Sequence, residues 1–259
     1  QFPEFGLMAL GVMLCMITGG IDLSPVGIAN LTAILMAFLM KALVREDGGL
    51  DWYVIPLVFA LGGLIGALLG TLNGLLVSRA RIPPILATLG MSELLAGVAI
   101  VLTNGNAVSK LPVAYALTIN SRLFNLIPVQ LIIFSVMARF IWFLLSRTTF
   151  GTKIYLLGTN ARVAHYSGLN NTGLIIKTYL ISGVCAALGG LIMLANYNSA
   201  RANYGSVYVL QCVLIVVLGG VSPVGGRGRI SGVVLAIFLL RMLETGINRF
   251  PQISSYYIS

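Results

Sequence analysis

The sequence predicts an all-α, multi-span integral membrane protein, and three observations carry that reading. Of its 259 residues 58% are hydrophobic and only 9% are charged, where a soluble domain carries nearer a quarter charged residues. Apolar runs long enough to cross about 30 Å of hydrocarbon recur along the whole chain. The net charge of +9, from 16 Lys and Arg against 7 Asp and Glu, lies between or at the ends of those runs, so it orients helices and gives no sign of nucleic acid. Residues 1–259 therefore read as a single transmembrane domain.

Taken in order, eight spans are expected, near 5–22, 25–44, 54–78, 84–103, 126–146, 174–195, 206–220 and 232–249, the seventh short and broken. The chain has no initiator Met and no charged, cleavable leader, and PQISSYYIS stops without a following span. Both ends are expected to continue in a longer protein.

The longest polar interruption, residues 147–173, carries Arg147, Lys153, Arg162 and the one histidine, His165, with no acidic residue. That bias places it on the cytoplasmic side. Alternation then puts 79–83 and 221–231 inside, and 45–53, 104–125 and 196–205 outside. Arg79, Arg81, Arg147, Lys153, Arg162, Lys177, Arg227 and Arg229 fall inside, against Lys41, Arg45, Lys110, Arg122, Arg201 and Arg249 outside. Glu46, Asp47 and Asp51 favour neither side, because carboxylates contribute little to orientation.

Within the long loop, Thr159 or Asn160 can cap a helix, Ala161 to Ser167 can form about two turns, and Gly168 can take the left-handed conformation that ends it. Ala161 and Ala164 sit one turn apart, so a short helix, small on one face and basic beside it, could enter a groove on a partner. A solvated connecting loop is the plainer reading of the same spacing.

Two stretches break the helical pattern. In Gly19-Gly20-Ile21-Asp22-Leu23-Ser24-Pro25-Val26-Gly27 the paired glycines end one helix, Ser24 can cap the next and Pro25 fits its first turn. Gly219-Gly220-Val221-Ser222-Pro223-Val224-Gly225-Gly226-Arg227-Gly228 echoes it. Interrupted segments in two halves of a membrane chain point to a transport path, since irregular backbone survives only where protein or a water-filled cavity satisfies it. Tight packing at a small-residue surface is the alternative, and it also suits Gly62, Gly63, Gly66 and Gly70 in the third span.

Ionisable residues inside the predicted spans include Asp22, Glu93, Arg139, Arg241 and Glu244, each expected to face protein or water. Arg241 and Glu244, three apart, are expected to pair, and Arg139 reads as structural. Asp22 could bind a polar solute or cap the helix beginning near Pro25. Cys15, Cys185 and Cys212 lie in apolar runs and read as packing residues rather than a metal site. The sequence contains no GxxxxGK[ST] phosphate loop, GxSxG or HExxH, so neither ATP binding by that route nor hydrolase chemistry is expected of this chain.

Several elements together resemble the membrane permeases of bacterial ABC importers of the ribose, xylose, galactose and autoinducer-2 type. They are Thr18-Gly19-Gly20-Ile21-Asp22-Leu23-Ser24, Asn73-Gly74-Leu75 with Arg81-Ile82-Pro83, Ala87-Thr88-Leu89-Gly90 and the loop from Gly158 to Gly168. Downstream are Asn198-Ser199-Ala200-Arg201, Val216-Val217-Leu218-Gly219-Gly220, Gly225-Gly226-Arg227-Gly228 and Ser254-Ser255-Tyr256-Tyr257.

The resemblance implies a permease of about ten membrane helices in the full protein, paired with a like or related permease in the cytoplasmic membrane. It also implies two cytoplasmic ATPase subunits that hold ATP and Mg, and a periplasmic solute-binding protein. This chain itself would bind no cofactor. Asn160, Ala161, Arg162, Ala164, His165 and Gly168 would dock into the ATPase. Asn198, Arg201 and Asn203 would meet the binding protein. The solute, a sugar or sugar-like molecule, would pass near Gly19, Gly20, Asp22, Ser24, Gly219, Gly220, Gly225 and Gly226.

Two departures stand out. The docking loop is wholly basic where the family often has an acidic residue, which implies an acidic groove on its ATPase. The sequence DLSPVG carries an extra Pro25 where the family usually reads DLSVG. The rival readings are a secondary transporter or channel, with Asp22 or Glu93 titrating, and a non-transporting scaffold.

Overall fold

The computed structural model describes residues 2–45, 50–123 and 126–247. Glu46, Asp47, Arg249 and the Ser254-Ser255-Tyr256-Tyr257 stretch lie outside the described residues.

Eleven helices run in order among the described residues: α1 (Phe2–Ile17), α2 (Pro25–Ala42), α3 (Val54–Ser78), α4 (Pro84–Thr103), α5 (Val113–Ile119), α6 (Val129–Arg147), α7 (Thr149–Thr159), α8 (Ala161–Tyr166), α9 (Asn171–Tyr197), α10 (Tyr208–Leu218) and α11 (Ile230–Ile247). Two-residue strands, Arg122–Leu123 and Ile127–Pro128, form a small antiparallel hairpin before α6. The eight expected spans are all present as apolar helices. Six of them (α2, α3, α4, α6, α9 and α11) are long and apolar enough to cross a bilayer, while α1 and α10 are shorter. The first helix stops short of the expected residue 22, because Thr18 and Gly19 turn back on the Cys15 and Met16 carbonyls and end α1 at Ile17.

α9 is the axis of the bundle. Its 27 residues are buried over most of their length, and α3, α1 and α2 pack around it. α3 lies antiparallel to it along a glycine seam. Gly62 faces Leu191, Gly66 faces Gly183 and Ala187, Gly70 faces Tyr179, and Gly74 faces Ile176. A methyl group at Gly66 or Gly70 would land on the backbone carbonyl of Gly183 or Tyr179, so the helices touch main chain to main chain, as small residues allow in membranes. Gly63 differs from the expectation: nothing lies within 4 Å of the position its Cβ would take.

The loops gather at two ends. At one end Arg81 of the α3–α4 turn lies beside α8, and Gly225 and Gly226 of the α10–α11 connection touch the end of α7. At the other end Val108 and Ala200 bridge the 104–112 and 198–207 connections, and Asn30 of α2 donates to the carbonyls of Ala202 and Tyr204 at 2.8 and 2.9 Å. This sorting is the one that alternation of the spans requires.

Candidate functional site

Three segments converge at the end of the bundle that carries the basic loops. α7 leads into α8 through Asn160, whose backbone is extended and whose side chain accepts from the amides of Arg162 (3.0 Å) and Val163 (3.1 Å). This is an N-cap that satisfies two otherwise orphaned donors. Gly168 ends the helix at φ +78°, and the Leu169 amide returns to the Ala164 carbonyl at 3.1 Å, the backbone pattern that a left-handed residue permits. Asn171 secures the turn from outside by donating to the Ala161 carbonyl at 2.8 Å.

Ala164 does not join Ala161 on an outward small face, in contrast to what the spacing suggests. It is 0% exposed and packs inward, because six residues of helix offer one side to the bundle. The outward side carries Ala161, Arg162, Val163, His165 and Tyr166, all exposed, with Tyr166 at 88%. Ala161, Arg162, His165 and Tyr166 line a cleft of about 620 Å³ with Arg81. Arg81 is held at φ +55°, a conformation uncommon outside glycine. Spacing alone does not join Arg81 to this site, since the turn that brings it there is 80 residues away in sequence from Ala161.

The two predicted breaks meet each other and α7 at a glycine-rich junction. The Gly226 amide donates to the Ile17 carbonyl at 2.9 Å. A Cβ at Gly158 would run into that same carbonyl, and one at Gly225 would lie 2.8 Å from the Gly158 oxygen and 2.9 Å from Cα of Gly19. Gly225 and Gly226 both have positive φ, +96° and +72°. Nearby, the Tyr155 hydroxyl of α7 donates to the Gly228 carbonyl at 2.7 Å. Burial pushes this phenol up, with Arg229 pulling the other way, so it stays a donor at neutral pH. The ends of α1, α7 and the 225–228 turn are thus bolted together by backbone contacts.

The echo between the breaks is not carried into conformation. Ser24, Pro25 and Val26 are buried and Pro25 begins α2. Pro223 and Val224 are exposed in a surface turn closed by Ser222 N–H to Arg227 O at 3.0 Å, and helix resumes only at Ile230. Gly219 packs on Val233, and Gly219 and Gly220 line a cleft of about 500 Å³ with Arg227, Arg229 and Gly232.

Asp22 is 1% exposed and its carboxylate is occupied by this chain. One oxygen accepts from the Ser24 amide (3.0 Å) and hydroxyl (2.6 Å), and the other from Ser182 Oγ (2.8 Å). Asn73 Nδ2 donates to Ser24 Oγ at 2.7 Å, and the Leu23 amide donates to Thr88 Oγ1 at 3.0 Å. Ser24 precedes α2 without capping it, because its hydroxyl is turned to Asp22. Gly20 packs on Tyr179 and Pro84. The carboxylate therefore joins the start of α2 to α9 directly and to α3 through Ser24, while α4 is held by the neighbouring Leu23 amide, and no oxygen of Asp22 is left facing a solute.

At the opposite end, Arg201 is exposed and Asn203 with it, while Asn198 is half-buried and closes α9 in the left-handed region at φ +48°. Beneath them lies Glu4, one residue before the first span expected from the sequence. It is 0% exposed and accepts from Tyr208 OH at 2.6 Å and Asn196 Nδ2 at 2.7 Å. Gln130 links Asn196 to Asn120 in turn. Arg241 and Glu244 pair as expected, and Arg139 stacks over Trp142, 5.5 Å from its ring centre.

The family model for the permease component of branched-chain amino acid transport systems matches residues 1–257. The chain belongs to that permease family. It is 35% identical over 253 residues to the ribose import permease protein of Bacillus subtilis, covering 97% of this chain and 76% of that one. Similarity to the ribose import permease protein of Escherichia coli K12 is 34% over 259 residues, with the same coverage. An autoinducer 2 import system permease protein from Yersinia pseudotuberculosis is 32% identical over 264 residues, 98% of this chain and 76% of that protein. No solved structure matches the chain. This permease is accordingly a multi-pass membrane subunit of an import system, in agreement with its apolar helices.

Proposed function

We propose that this permease is the transmembrane subunit of an ABC importer for a sugar or sugar-like solute in a bacterial cytoplasmic membrane. ATP is hydrolysed on separate cytoplasmic subunits, a second permease completes the path, and a periplasmic protein delivers the solute near Arg201 and Asn203. The observation that carries this reading is the glycine junction, because it connects an exposed basic helix to the buried helices through direct backbone contact. A push on α8 and α7 is passed through Gly158 to Ile17 at the end of α1 and to the Gly225–Gly226 turn. The relatives' names supply the solute class. A path with few ionisable groups also suits a neutral polyol, which needs hydrogen-bonding groups but little net charge.

The ATPase partner is expected to present an acidic groove to Arg162, His165 and Arg81. Attraction between such groups is screened over about 8–10 Å at physiological salt, so docking should weaken as salt rises. The test is to replace Arg162 and Arg81 by Glu in the tagged, full-length protein and to follow retention of the ATPase during purification. Loss of the ATPase with a folded, inserted permease supports the reading. Unchanged retention removes α8 and Arg81 as the docking surface.

A further inference from the structure

α4 has the one span-length helix face on which a carboxylate points outward without a partner among the described residues. Its buried side carries Ala87, Thr88, Leu95, Ala99 and Thr103. The 3.6-residue period then sets Leu86, Gly90, Glu93 and Gly97 on the opposite side, and all four are exposed. Glu93 is the tenth of the helix's 20 residues, counting from Pro84, so it lies near mid-span. Nothing lies within 4 Å of a Cβ placed at Gly90 or Gly97. The carboxylate therefore stands in a notch, with one bare helix turn below it and one above.

We propose that this stripe faces a water-filled route between the two permeases, and that Glu93 is the hydrogen-bond acceptor that meets an uncharged, polyhydroxylated solute there. The inference rests on the importer reading, since the route needs a second permease. Three surroundings are open to a mid-span carboxylate. Lipid is the expensive one, because ionised side chains at that depth are rare and face protein or water. A dry seam between two like permeases would be isologous, and a two-fold axis at this stripe would set one Glu93 against the other. Water leaves the carboxylate solvated, and the bare turns at Gly90 and Gly97 leave room beside it. A carboxylate with two free oxygens can accept from two neighbouring hydroxyls, and it disfavours anions.

The test uses Gly97→Cys in the full complex in native membranes, where the added side chain has room. The native thiols Cys15, Cys185 and Cys212 are buried and should be silent. Cationic and anionic methanethiosulfonates, both membrane-impermeant, should modify the introduced thiol faster than a cysteine replacing Leu68, which is 59% exposed on α3. Relative to a free thiol in solution, the cationic reagent should be favoured by about tenfold, and Glu93→Gln should abolish that preference. Reaction no faster than at Leu68→Cys, disulfide formation between two copies, or a preference unchanged by Glu93→Gln would each overturn the proposal. Failure of the importer reading registers separately, as the absence of an ATPase in the same membranes.

Discussion

Replacing Gly158 by Ala should uncouple ATP hydrolysis from transport without removing the ATPase. The new methyl would collide with the Ile17 carbonyl and lie 2.5 Å from the Gly226 amide nitrogen, where an ordinary contact is about 3.5–4 Å. Both atoms are backbone, so relief requires α7 to move away from the end of α1. That motion stretches the 2.9 Å bond from Gly226 to Ile17. Overpacking of this kind costs about 1–3 kcal/mol and a weakened hydrogen bond about 0.5–1.5. Ala gains back about 0.5–1 within a helix, leaving a net loss of about 0.5–4 kcal/mol by these principles. The outward side of α8 is untouched, so the complex should still assemble. The assay is thermal unfolding of the purified complex together with ATPase activity and solute uptake in proteoliposomes. The expected result is a lowered Tm and hydrolysis that persists while uptake falls at least several-fold. Wild-type Tm and uptake would refute the idea that this junction transmits the stroke.

Asp22→Ala should strand the Ser24 amide, the Ser24 hydroxyl and Ser182 Oγ in the core. At about 1–3 kcal/mol for each unsatisfied group, the permease should be nearly absent from membrane fractions on immunoblots, whichever solute it carries. Gly70→Val should be equally severe because its Cβ meets the Tyr179 carbonyl, whereas Gly63→Val, on the open side of α3, should express normally. Asn160→Ala removes the acceptor for two amides and should cost about 1 kcal/mol. The expected readout is faster amide hydrogen exchange confined to α8 and a partial loss of ATPase binding.

Much of this architecture is legible in the sequence because its signals are local. Apolar run length sets the spans, Asn160 and Gly168 set the ends of α8, and Gly-rich spacing in α3 anticipates its seam with α9. What escapes is set by tertiary contact. Ala161 and Ala164 share a helix face by spacing, yet the bundle buries only Ala164. Ser24 sits where a cap belongs, but Asp22 takes its hydroxyl. The two Ser-Pro-Val-Gly echoes look alike, and one is core while the other is a surface turn. Arg81 joins α8 only through the path of α3 and α4. Glu4 lies at the edge of an apolar run and is buried because α9 and α10 close over it.

The proposed importer requires that an exposed basic helix receive an ATPase and drive the spans through the Gly158 junction. Its most direct measurement is purification of the tagged, full-length permease from native membranes, with its partners identified and quantified. A stoichiometric ATPase is expected, lost when Arg162 and Arg81 become Glu and retained, though uncoupled, in Gly158→Ala. A permease that purifies without any ATPase, and whose transport follows a proton or sodium gradient, would contradict it.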